Sequence, residues 1–195
     1  MSANALLDRR DVVAHLLADR RELLVVSGLG SATYDCAAAG DDPRNFYLWG
    51  AMGGTTPLAL GLALAQPDKP VLGITGDGDM LMGLGALSTI GVQAPANLSI
   101  VILDNEVYGE TGAQPSATAY GTDLTGIARA SGMNTVDEIT KISGVDALAA
   151  RLHTSGGPLF ANIKIAPGEA KRVLPSRDGA YLRSRFRKAV LGEAP

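Results

Sequence analysis

Apolar positions along the chain come in two kinds of block. Short continuous runs, "ELLVVSG" (22–28), "NFYLWG" (45–50), "PVLGITG" (70–76), "LSIVILDN" (98–105) and "PLFANIKIA" (158–166), are apolar on both faces, as buried parallel strands are. Between them lie stretches of helical period. Residues 5–20 gather Leu6, Val12, Val13, Leu16 and Leu17 largely on one side. "SATYDCAAAG" ends at Gly40, and "TPLALGLALAQ" (56–66) carries Pro57 in its first turn, where proline is tolerated. "MLMGLGALSTIGVQA" (80–94) reads as one helix. Asp123 is placed to cap a helix over "LTGIARASGM", and another covers about 144–154. Five strands alternating with helices predict an α/β fold, a doubly wound and mostly parallel sheet with helices on both faces. In such sheets ligands sit at the carboxyl ends of the strands. Those ends here read "SGLGS", "WGAMGG", "TGDGD" and "DNEVYG".

The 195 residues, 46% hydrophobic, suit one domain spanning 1–195. Its tail changes character at 178–191, where Leu182, Phe186 and Val190 stripe a helix that also carries Arg183, Arg185, Arg187 and Lys188. That helix either packs back on its own sheet or docks on another subunit. A net charge of −3 gives no broad basic surface and argues against a nucleic-acid partner. The single cysteine, Cys36, excludes an internal disulfide and a cysteine-bound cluster. The first twenty residues lack the apolar core of a signal peptide, and no run reaches the roughly 20 apolar residues that span a bilayer. The expected compartment is the cytoplasm, without a membrane partner.

The chemistry concentrates in residues 73–114. Asp77 ends one predicted strand inside a Gly-Asp-Gly turn, and Asn105 ends the next, 28 residues later. Mg2+ favours oxygen ligands, takes few of them from the protein and grips phosphate with the rest of its shell. A carboxylate, an amide oxygen and a backbone carbonyl from the loop after Asn105 make such a set. Gly78 permits close approach of a diphosphate, and the following helix turns free N–H groups and its positive end toward the anion. Gly-Asp-Gly alone is also a common tight turn; the strand before it, the helix after it and Asn105 at the next strand end make the pattern specific.

With GDG, a spacer and Asn in place, the sequence resembles the diphosphate-binding domain of thiamine diphosphate enzymes. The resemblance implies that Asp77, the Asn105 side chain and the Val107 carbonyl bind Mg2+. It also implies cofactor contacts from Gly30, Ser31, Gly50, Met52, Gly76, Gly78, Asp79, Asn105 and Thr111, with Gln114 a further loop candidate. In "GAMGGTTPLALG" (50–61), Gly50 would contact the aminopyrimidine through its carbonyl and Met52 would wedge under the thiazolium. Taken together, "RNFYLWGAMG", "MLMGLGALSTIG", "NLSIVILDNEVYGETGAQ" and "SRDGAYLRSRFRKAV" are similar to the β subunits of sulfopyruvate and phosphonopyruvate decarboxylases. Three positions depart from that pattern. Asp79 replaces a small residue and is expected to point away from the diphosphate; Gly83 replaces Asn, and Glu110 replaces Ser.

The resemblance further implies that the cofactor is activated by a glutamate on a pyrimidine-binding domain for which this chain has no room. The partner expected is therefore a second subunit in a hetero-oligomer, with the active site between the two and a small 2-oxo acid as substrate. Met52, Tyr108 and Glu110 are the catalytic candidates, Glu110 as a general acid or base. His15 and His153 read as surface or structural residues. Two other functions stay open at this level: carboligation by the same cofactor, and a non-catalytic thiamine diphosphate-binding or assembly module. A nucleotide-binding domain is a weaker match, because "SGLGSAT" lacks the P-loop lysine and the full dinucleotide fingerprint.

Overall fold

The computed structural model describes residues 6–154 and 156–192. In chain order the elements are α1 (Arg9–Leu17), β1 (Leu24–Ser27), α2 (Ser31–Ala38), β2 (Asn45–Tyr47), α3 (Thr55–Ala65), β3 (Val71–Gly76), α4 (Asp77–Met82) and α5 (Ala86–Gln93). There follow β4 (Leu98–Asp104), β5 (Val107–Tyr108), β6 (Gln114–Pro115), α6 (Leu124–Ala130), β7 (Asn134–Thr135), α7 (Ile142–Arg151), β8 (Leu159–Lys164) and α8 (Gly179–Leu191).

Six strands form one parallel sheet in the order β2-β1-β3-β4-β8-β7, while β5 and β6 make a small antiparallel ribbon. Side chains alternate across each strand, so every apolar run feeds two cores. Val25, Leu72, Ile74, Val101 and Ile163 face α1, α2 and α7 on one side. Leu24, Val26, Val71, Ile100 and Phe160 face α3, α5 and α6 on the other. Continuous hydrophobicity without a polar face is thus the mark of strands covered twice. The order reverses direction at β1, whose neighbours β2 and β3 follow it on opposite sides. Crevices outside the carboxyl ends of strands open where the winding reverses in this way.

Several boundaries differ from the sequence expectation. Helix α1 begins at Arg9 because the Asp8 side chain accepts from the N–H groups of Arg10 and Asp11, a cap that fixes the first turn; Leu6 is left outside it and exposed, and residue 5 of the expected span lies outside the described residues. The helix expected over 80–94 is two helices. Its break at Gly83 is where the chain passes the backbone of Gly53, in space that a β-carbon would fill. Two-residue β7 adds a sixth strand too short to carry a periodicity. Among the described residues no helix is long and apolar enough to cross a membrane.

The tail packs back on its own sheet. Leu182 joins one core and Val190 the other, and Phe186 meets Phe46 of β2 edge to face at 5.5 Å. Helix α8 therefore straddles the β2 edge, which would otherwise present unpaired strand groups. Arg185 ties it down, pairing with Asp41 at 2.7 Å and donating to the Asn45 carbonyl.

Candidate cofactor and metal site

Four backbone segments converge outside the carboxyl ends of β1, β3 and β4. They are the Gly28–Ser31 turn, the loop 50–54, the turn into α4 and the loop after β4. A cleft between them is lined by Ser31, Met52, Gly76, Asp77, Gly78, Asp79, Asn105, Val107, Tyr108, Glu110 and Thr111. Eleven of the residues named from sequence thus meet on one surface. Its room is about 130 Å3, well under the several hundred Å3 that enclose most of a small ligand.

Asp77 opens α4 and is almost fully buried. One carboxylate oxygen accepts from the Ser116 hydroxyl and, at 3.2 Å, from that of Thr118. Burial first, and the nearby charge of Asp104 with it, push the Asp77 carboxyl above its ordinary range despite those hydrogen bonds. Asn105 begins the next loop, and its side-chain oxygen accepts from Val107 N at 3.1 Å. Glu106 between them has φ of 63°, a left-handed conformation unusual outside glycine. Its N–H bonds to the Asp104 carboxylate at 3.1 Å, which helps hold that turn. The site thus offers a carboxylate, an amide oxygen and a backbone carbonyl on adjoining strand ends, all hard oxygen donors. No cluster of three or more His, Cys, Asp or Glu suited to a metal occurs among the described residues. A cation here would need outside ligands such as water or phosphate.

The glycines mark close approach. A β-carbon on Gly78 would stand 2.6 Å from two ring carbons of Tyr108, so the aromatic ring of β5 lies directly on the turn into α4. One on Gly30, which has φ of 69°, would stand 2.6 Å from a Glu110 carboxylate oxygen. Glu110 has no hydrogen bond or ion pair among the described residues; it reaches the cleft from the loop after β5. Thr111 and Gln114 bond to each other, the Thr111 hydroxyl donating to the Gln114 side chain at 3.0 Å. Gln114 does not line the cleft. Gly50 lies exposed beside it, with nothing within 4 Å of the position a β-carbon would take.

Asp79 has turned inward. One carboxylate oxygen accepts from Gly53 N and the other from the Thr75 hydroxyl, both at 2.7 Å. Its side chain is committed to the protein, and only its backbone N–H belongs to the open end of α4.

Sequence reading missed the residues behind this surface. Asp104 is buried and accepts from Thr118 at 2.8 Å and Asn162 at 2.9 Å, with Lys164 Nζ 2.8 Å away. Burial by itself would lower the Lys164 ammonium, but Asp104 and Glu106 hold it above its ordinary value. The available signal was a single charged residue in each of two apolar strands, Asp104 in "LSIVILD" and Lys164 in "LFANIK". Arg9, also unforeseen, enters the cleft from the start of α1, with Nε 3.2 Å from Asp35. His15 pairs with Asp146 on the surface, far along α1 from the cleft.

Comparison with known proteins agrees with this arrangement. Residues 28–166 match the family described as thiamine pyrophosphate enzyme, C-terminal TPP binding domain. The chain is 35% identical over 187 residues to sulfopyruvate decarboxylase subunit beta of Methanothermobacter thermautotrophicus, covering 96% of this chain and 97% of that one. It is 37% identical over 172 residues to phosphonopyruvate decarboxylase of Streptomyces viridochromogenes, covering 87% of this chain but 43% of that one. An X-ray structure described as a thiamin diphosphate-dependent enzyme from Mycobacterium smegmatis superposes with a TM-score of 0.72 at 22% identity, over 84% of this chain and 32% of that one.

Proposed function

We propose, for a chain that belongs to the thiamine pyrophosphate enzyme family through its C-terminal TPP binding domain, the role of diphosphate-binding subunit in a heteromeric, cytoplasmic decarboxylase. Its substrate is an anionic 2-oxo acid of the sulfopyruvate or phosphonopyruvate type, released as an aldehyde and CO2. The observation that carries the reading is the convergence of Asp77, Asn105 and Val107 around a glycine, Gly78, on adjoining strand ends.

The donor set fits Mg2+, and the turn fits a diphosphate. Asp77 is a buried carboxylate held by hydroxyl groups and not by a cation, which is how a carboxylate awaiting a metal is placed. Asn105 and the Val107 carbonyl complete the protein's share of ligands. Gly76 and Gly78 keep side chains off the turn, the N–H groups of Gly78 and Asp79 open α4, and Gly30 and Ser31 face it from β1. Thiamine diphosphate supplies, when bound, a nucleophilic carbon for the 2-oxo group and a ring that accepts the electrons of the breaking bond. Met52 and Gly50 orient the organic part of the cofactor from the loop 50–54. Tyr108, lying against Gly78, keeps water from the metal side. Glu110, uncommitted and facing the cleft, carries the proton that the product carbon gains.

The chain supplies half of a site. It spans nearly all of one relative named a beta subunit and less than half of the phosphonopyruvate decarboxylase chain, a division that supports a separate partner bearing the pyrimidine-binding domain and its glutamate. The test is calorimetric titration of the chain with thiamine diphosphate, with and without Mg2+ and with the partner subunit, followed by CO2 release from sulfopyruvate and phosphonopyruvate. Metal-dependent binding that tightens with the partner, and turnover only in its presence, are expected. Decarboxylation by the isolated chain defeats the divided site; absence of binding in both preparations defeats the reading.

A further inference from the structure

Asp79 stands where a carboxylate ought to repel a diphosphate, yet it is buried and both of its oxygens are taken by hydrogen bonds within the protein. One holds Thr75, the last residue but one of β3. The other holds Gly53 N, in the loop that carries Gly50 and Met52. That loop is tightly wound: Ala51 and Gly53 both have positive φ, at 56° and 85°, and Gly54 N donates to the Ala51 carbonyl at 2.7 Å. A non-glycine residue in this conformation persists only where its surroundings over-determine it. Behind the loop, Gly53 lies against Gly83 so closely that neither accepts a β-carbon. The Asp79 carboxylate is thus a rigid strut between the turn that begins α4 and the loop opposite, across 26 residues of sequence.

We infer that Asp79 is a positioning residue that sets the height of Met52 and the direction of the Gly50 carbonyl relative to the diphosphate turn. This rests on the proposed cofactor reading and deepens it. The ends of one ligand are gripped by two segments, and a strut between them fixes the distance at which both engage. A small residue at position 79 leaves the turn intact and frees the loop. The carboxylate replaces nothing at the diphosphate, because the backbone N–H that faces the anion belongs to any residue at this position.

The experiment compares wild type, D79S, D79N and T75V in the full chain with its partner subunit. Its first readout needs no cofactor: amide hydrogen exchange at Gly53. D79S is expected to speed that exchange by about tenfold or more, the equivalent of one hydrogen bond to a charged acceptor. Turnover in the D79S assembly falls by about tenfold to a hundredfold, as misplacement by about an ångström does, while affinity for thiamine diphosphate stays nearly unchanged. D79N keeps an acceptor for Gly53 N and a donor for Thr75, and recovers most of both properties. T75V removes one of the two bonds, gives an intermediate result, and serves if D79S does not fold. Unchanged Gly53 exchange in D79S and T75V overturns the strut. Faster exchange with turnover preserved and cofactor affinity lost overturns the positioning role, assigning Asp79 to the diphosphate turn alone. If the wild-type assembly binds no thiamine diphosphate, the functional reading fails by itself, and the exchange comparison still decides whether the strut exists.

Discussion

The ammonium of Lys164 lies 2.8 Å from the Asp104 carboxylate, whereas Asp77, buried beside it, has no cationic side chain against it among the described residues. The two acids share one hydroxyl: Thr118 Oγ1 lies 2.8 Å from Asp104 and 3.2 Å from Asp77, and its single proton serves one of them at a time. Asp104 is paired with a lysine on the neighbouring strand, and Asp77 is held by hydroxyl groups. In the proposed site that difference leaves Asp77 available to a cation, while both oxygens of Asp79 are taken by Gly53 N and the Thr75 hydroxyl.

Removing the Asp77 charge should therefore stabilise the protein when no metal is present. Burial raises the Asp77 carboxyl, so the folded state binds that proton more tightly than the unfolded state does. Stability of the metal-free chain falls as pH rises from the ordinary carboxylate value, about 3.9, through the raised folded value, and the full penalty is present above it. Asp77→Asn should gain about 1 kcal/mol near neutral pH and lose the further stabilisation that Mg2+ with thiamine diphosphate gives wild type. Thermal melts at several pH values, with and without both ligands, measure this. A destabilised variant would mean that the bonds from Ser116 and Thr118 outweigh the cost of the buried charge.

Lys164→Ala should act in the opposite direction. It strands Asp104 in the interior, and losing one partner of a buried pair costs about 3 kcal/mol, the lower end of the range because Lys164 is partly exposed. The folded value of Lys164 is raised, so its contribution is complete below about pH 10 and is lost as pH rises through the folded value. Urea unfolding at neutral pH reads the loss, and adding Asp104→Asn should recover part of it. Full stability in the single variant would show that Asn162 and Thr118 suffice for Asp104.

The doubly covered strands and the glycine-rich strand ends made the fold legible, because runs such as "LSIVILD" leave no face for solvent. Asp77, Asn105 and Gly78 were legible for a different reason: local spacing fixes where the ends of consecutive strands fall. What lay beyond reading was long-range. Ser116 and Thr118 reach Asp77 across about forty positions, and the Asp79–Gly53 bond joins residues 26 positions apart. The helix break at Gly83 likewise depends on contact with Gly53, for which the local pattern holds no signal. Asp79 was expected to point away from a diphosphate; its partners, Gly53 N and the Thr75 hydroxyl, were not foreseen.

Gly78→Ala tests whether the turn tolerates any side chain. The new β-carbon meets the Tyr108 ring at 2.6 Å, so the ring or the turn must shift, at a cost of about 1–3 kcal/mol. Pairing it with Tyr108→Ala relieves the crowding, and the double variant should be more stable than additivity predicts. Cofactor affinity should stay low in both, because the methyl group remains in the diphosphate turn. Double-mutant denaturation combined with calorimetry separates the two effects. Recovery of cofactor affinity in the double variant would transfer the requirement for glycine from the ligand to Tyr108.

Glu110 is the group on which the chemistry of the reacting carbon most depends in the proposed site. It lines the cleft, and its carboxylate lies against Gly30 with no hydrogen-bond or ion-pair partner among the described residues. Asp77 and Asp79, the other acids of the cleft, are tied to hydroxyl groups or to a backbone N–H. Of the three, only Glu110 has a side chain not held by a hydrogen bond among the described residues, which is why it is the proposed proton carrier. Glu110→Gln keeps the shape and removes the acid, so turnover of the reconstituted enzyme should fall by about 10²–10⁴, with thiamine diphosphate affinity retained. If turnover persists, the proton comes from the partner subunit, and Glu110 serves to shape the wall against Gly30.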